Sequence, residues 1–145
     1  MESSRTDTWV ARQPVIFVLL AIDIALITIL IAWGLTEHEI NPLARPSYTL
    51  QTSAPFVIGW LIMSPLAGAY SSKAFRSLRA MVLATFAGWI GAVMVGVAIR
   101  ATPLVPGSGD PVFLLVMVAF GLVVMLPWRV LFGFVGMKSE YFGQP

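Results

Sequence analysis

An aspartate, Asp23, interrupts a long apolar run near the start of the chain. A carboxylate at mid-membrane costs on the order of 2.5–3.5 kcal/mol on insertion scales. It must therefore face protein or water, or carry a proton. Three kinds of chemistry follow: a proton or cation site, an anchor for a partner's positive group, or an ion pair or hydrogen bond that glues helices together. Arg129, beside Trp128 in the last apolar run, is the candidate partner. Counted along the helix axes, the two residues lie at depths that differ by roughly 8 Å, a gap that two side chains partly bridge. In the competing reading, Arg129 snorkels to the interface instead.

A second cation, Arg100, ends a row of small residues: Ala80, Ala84, Gly88, Ala92 and Gly96 recur at every fourth position before it. Small residues at this spacing let helix backbones approach closely. The row drifts about 40° per step, so it winds around its helix. Ala84, Gly88, Ala92 and Gly96 are therefore expected at a packing interface, either within the chain or with another copy or subunit. Arg100 is expected at the outer surface, within reach of Glu37 or Glu39.

His38 is the sole histidine. Neighbouring side chains point in different directions and no second histidine or cysteine exists, so the chain by itself offers no metal site. His38 could serve as an outer-loop ligand only in company with other chains. No Ser-His-Asp set, phosphate loop or carboxylate pair is present, so nothing identifies a catalytic residue or a cofactor.

The elements that must hold these residues follow from composition. Hydrophobic residues make up 58% of the 145 and charged residues 11%, where a soluble domain carries about a quarter charged residues. The apolar residues come in blocks, and a block of roughly 18 or more reads as a membrane span. The absence of cysteine removes disulfides and thiolate sites. The net charge of +2, without a basic patch interleaved with aromatics, argues against nucleic acid as a partner.

The spans are expected at about 15–35, 54–70, 80–101 and 111–134, following a cytoplasmic segment 1–14 and preceding a cytoplasmic tail 136–145. The first block is too long for a signal-peptide core and lacks a small-residue cleavage site, so it reads as a retained span. Ser53 and Pro55 suit the cap and first turn of the second span, as Asp110 and Pro111 suit those of the fourth. Pro65 and Pro127 are expected to kink their helices. Residues 71–79 read as a short basic loop. Short connections make consecutive spans antiparallel neighbours, giving an all-α bundle of four transmembrane helices in two hairpins.

Orientation follows from Lys and Arg. Arg5, Arg12, Lys73, Arg76, Arg79, Arg129 and Lys138 fall on one side, with only Arg45 and Arg100 on the other. The positive-inside rule puts both termini in the cytoplasm.

The order of polar positions also resembles a family. Asp23 in the first span precedes Gly34 and His38; Pro55, Phe56, Gly59 and Trp60 follow, then Pro65 to Tyr70 as Pro-x-x-Gly-Ala-Tyr. Arg100 ends the third span and Trp128-Arg129 stands late in the fourth. This pattern, over about residues 15–132, is similar to the small prokaryotic membrane proteins known as domain of unknown function three-thousand-and-fifty-four. The resemblance implies a prokaryotic origin and supplies no mechanism.

The leading expectation is a non-enzymatic structural or accessory subunit in the lipid bilayer, acting through helix contacts with other membrane subunits or as a homo-oligomer. The alternative is a small oligomeric transporter, or proton- or cation-conducting element, centred on Asp23. Proline-interrupted spans in both halves would suit a carrier, although the two prolines lie at different depths and no internal repeat accompanies them.

Overall fold

Helices account for every regular element among the described residues, which run from 3 to 138, with side chains from 14 to 136, in a computed structural model. Residues 1–2 and 139–145, with the side chains of 3–13 and 137–138, lie outside that description, and so does most of both expected cytoplasmic ends. In chain order the helices are α1 (Ser3–Glu37), α2 (Pro46–Leu66), α3 (Ser72–Arg76), α4 (Leu78–Arg100) and α5 (Pro111–Lys138). Three stretches are long and apolar enough to cross a membrane: Pro14–Glu37, Leu78–Arg100 and Pro111–Gly136. At 1.5 Å per residue each reaches about 35 Å or more, longer than the roughly 30 Å hydrocarbon core.

The second helix departs most from its expected bounds. It starts at Pro46, so Ser53 and Pro55 lie inside it and neither opens it. The run Ser47–Ser53 is rich in hydroxyls and resembles a loop, but a hydroxyl inside a helix can bond back to the preceding turn. Thr49 donates to the carbonyl of Arg45 at 3.1 Å, Thr52 to Tyr48 at 2.8 Å and Ser53 to Thr49 at 2.9 Å. Pro46 takes the helix start, where no donor is needed.

The other end of α2 also differs. Pro65 stands one residue before the helix stops and does not kink a continuing one. Gly68 adopts φ +81°, a conformation that costs a residue with a Cβ about 1–2 kcal/mol. Its N–H donates to the carbonyl of Pro65 at 3.0 Å, and that of Ala69 donates to Ser64 at 2.9 Å. These paired bonds make a Schellman stop, and they turn the chain so that Ala69 is buried. Pro127, by contrast, lies inside an unbroken α5.

The basic segment 71–79 carries more structure than a loop. Ser71 caps the single-turn helix α3 and Ser77 caps α4, each accepting from a backbone N–H three residues on. Phe75 packs edge-on against Phe132 with ring centroids 6.2 Å apart. At the start of α5, Asp110 accepts from Val112 N–H at 2.8 Å, the cap expected there.

Each long helix touches two others: α1 with α2, α2 with α4, α4 with α5, and α5 with α1. The α2–α4 contact is the tightest. A Cβ on Gly59 would collide with the Ala92 carbonyl, one on Gly88 would lie 3.2 Å from Ser64 Cα, and one on Gly96 would meet the Phe56 ring. Ile27, Phe56, Trp60, Trp89, Val93 and Met125 form the central core. The outward faces stay apolar, with Phe17, Ile29, Leu115, Val123 and Phe134 exposed.

Candidate functional site

Asp23 on α1 and Arg129 on α5 meet inside this core with no exposure at all. Arg129 Nη2 donates to Asp23 Oδ2 at 2.5 Å and Nε donates to Oδ1 at 3.3 Å. The guanidinium therefore engages the carboxylate side-on with two donors, the geometry that makes arginine pairs directional. Its third arm, Nη1, donates to the Ala69 carbonyl at 3.0 Å, the group delivered by the Schellman stop.

Two aromatic donors complete the carboxylate. Tyr70 Oη donates to Oδ2 at 2.5 Å and Trp128 Nε1 donates to Oδ1 at 3.2 Å. Trp60 Nε1 in turn donates to Tyr70 Oη at 2.9 Å. Four donors thus reach two oxygens, which is about the capacity of an ionised carboxylate. The guanidinium lies over the Tyr70 ring at 4.8 Å and the Trp60 ring at 5.5 Å, both favourable cation–π distances. An ion pair taken out of water is tolerable only when its remaining valences are filled, and here they are.

The two depths agree better than a fixed bilayer thickness suggests. The apolar part of α5 runs to Gly136 and that of α1 begins at Pro14. Measured from those ends, Arg129 and Asp23 lie about 10 Å and about 13 Å along their axes. Trp60, Tyr70 and Trp128 are visible in the sequence as positions of the family pattern but not as partners of Asp23, and the Ala69 carbonyl is not visible there at all. Tyr70 comes into range only through the turn after α2.

The remaining candidates lie elsewhere. Ala84, Gly88, Ala92 and Gly96 are buried on α4, and the three glycine and alanine contacts above point this row at α2. Arg100 pairs with neither Glu37 nor Glu39: its guanidinium lies 4.6 Å from the Phe113 ring centroid, packed under Gly107. Its Nε and Nη1 are buried without a hydrogen-bond partner. The turn through Gly107 packs closely against the guanidinium. His38 is exposed at the mouth of a 320 Å³ cleft between α1 and α5, beside Glu37, Trp33 and Phe120. Among the described residues no three His, Cys, Asp or Glu side chains come together.

These features define a class: an all-helical protein with helices fit to cross a membrane and a closed ion pair in their midst. The chain belongs to the family described as Protein of unknown function (DUF3054), whose model matches residues 20–132. That stretch includes Asp23, Trp60, Tyr70, Arg100 and Arg129. No curated protein and no solved structure matches.

Proposed function

We propose that the chain is a multi-pass cell-membrane protein in which α1, α2, α4 and α5 all span, as a four-helix bundle with both termini cytoplasmic. It acts as a non-enzymatic structural or accessory subunit through its outer helix faces. The crossing of α2 is supported by its 21 residues, about the length a span requires. Thr49, Thr52 and Ser53 in its first half are buried and bond back to the preceding turn, so these hydroxyls present no unsatisfied polarity to lipid.

The observation that carries the reading is the saturation of Asp23. A carboxylate with four donors and no exposure is built to hold helices together; a carrier needs a group that can exchange its proton or ion. Meanwhile only 28% of an 18-residue apolar stretch of α1 and 17% of one of α5 are buried within the chain, which leaves broad apolar faces for lipid and partner helices.

Gentle detergent extraction followed by native mass spectrometry and an absorption spectrum tests the proposal. A co-purifying chain or a defined oligomer is expected. A free monomer with no companion would overturn the subunit role. Flux in liposomes that Asp23→Asn abolishes would favour the transport alternative instead.

A further inference from the structure

At the N-terminal end of α4, beside the turn that closes α2, lies a groove of 560 Å³. Ser71, Lys73, Ser77 and Arg79 border it, and Ala80 and Leu83 belong to its apolar wall. The groove is therefore two-sided in character, cationic at the rim and apolar along the first turns of a membrane-length helix.

Among the described residues no carboxylate balances its charge. Between Glu39 and Asp110 the sequence holds no acidic residue. Among the described residues, the ion pair Asp23–Arg129 engages neither Lys73 nor Arg79, and no other pair does. The start of α4 adds the positive end of its helix dipole to the same place. Because the groove sits at one end of a membrane-length helix, it lies at headgroup level when α4 crosses a bilayer.

We propose that this groove binds an anionic phospholipid, its phosphate between Lys73 and Arg79 and its acyl chain along Ala80 and Leu83. Basic pockets between spans are known to take such headgroups. The inference rests on the membrane placement of α4 and is independent of what the Asp23–Arg129 pair does.

Full-length protein in neutral detergent, titrated with phosphatidylglycerol or with phosphatidylcholine of the same acyl chains, gives the test by native mass spectrometry. The wild type is expected to retain phosphatidylglycerol preferentially. Lys73→Gln with Arg79→Gln should weaken that retention by on the order of tenfold or more. Arg76→Gln, which removes a nearby cation outside the groove, should leave it unchanged. Size-exclusion elution of each variant reports folding. Equal retention of the two lipids overturns the site, as does an unchanged preference in the folded double variant. Inorganic phosphate in place of lipid distinguishes the source: if it saturates the site and displaces phosphatidylglycerol at equal concentration, a soluble anion is the ligand and the lipid assignment falls. Loss of the protein from the membrane fraction would instead count against the membrane reading itself.

Discussion

Arg129 grips Asp23 with two of its nitrogens while its third reaches the Ala69 carbonyl. One side chain on α5 thus ties α1 to the turn that ends α2. Those segments are far apart in sequence, and α1 meets α5 more sparsely than it meets α2. The pair therefore adds a directional tie to an apolar contact that includes Trp33 against Phe120. In lipid, where apolar association between helices gains nothing from excluding water, such a contact carries more of the specificity of assembly.

Asp23→Asn leaves the guanidinium buried and charged without its counter-ion. Removing one member of a buried pair costs about 3–5 kcal/mol, so thermal unfolding in detergent should fall sharply. Arg129→Gln should behave alike. Combining Asp23→Asn with Arg129→Gln removes both charges, and the double variant should lose less than the two single losses together. The coupling expected for residues in contact is about 0.5–3 kcal/mol. Strictly additive losses would show that the two residues do not act as a unit.

Tyr70→Phe tests the aromatic part of the network. It strips one donor from Asp23 and also strands the Trp60 indole N–H, which donates to the lost hydroxyl. A buried group left unsatisfied costs about 1–3 kcal/mol. Thermal stability should drop by that order in the wild-type background and by less where Asp23→Asn has already broken the cluster. An equal drop in both backgrounds would mean that Tyr70 contributes through packing alone.

Asp23 and Arg129 are legible in the sequence because a charge inside an apolar run needs an explanation. The apolar helical stretches of α1, α4 and α5 are legible from composition, since their apolar blocks end at polar or proline-glycine segments. The start of α2 is not, because hydroxyls that bond to their own helix are indistinguishable by type from hydroxyls in a loop. Pro65 misleads in a different way. It marks the end of a helix only in conjunction with the positive φ of Gly68, and the sequence shows a glycine without its conformation. Tyr70 enters the site through that turn, so its role depends on a tertiary position no local pattern encodes. Arg100 shows the converse: its charge suggests an ion pair, and Phe113 at the start of α5 supplies a ring instead.

Three glycines separate close packing from open helix surface. A Cβ on Gly59 would strike the backbone carbonyl of Ala92, and one on Gly121 would enter the Trp89 indole. Gly34 has nothing within 4 Å of the same position. Overpacking of this kind costs typically about 1–3 kcal/mol, with backbone the less yielding obstacle. Gly59→Ala and Gly121→Ala should therefore lower thermal stability, while Gly34→Ala should be neutral or raise it by up to about 1 kcal/mol through helix propensity. A harmless Gly59→Ala would mean that α2 and α4 are not held this closely.

The topology can be read with single cysteines, because the chain has none of its own. Leu43 is 90% exposed in the segment before α2, and Ser72 is exposed just after the turn that closes it. If α2 spans, Leu43→Cys and Ser72→Cys lie on opposite sides of the membrane. With cytoplasmic termini, an impermeant maleimide applied to intact cells should label Leu43→Cys and spare Ser72→Cys until the cells are opened. Ser108→Cys, between α4 and α5 and also exposed, should label from outside. Labelling of Leu43→Cys and Ser72→Cys on the same side would exclude a crossing by α2 and leave three spans. Labelling of Ser72→Cys alone in intact cells would keep four spans and reverse the orientation. The pattern thus tests the crossing and the charge-derived orientation separately, and neither result depends on the stability of the ion pair.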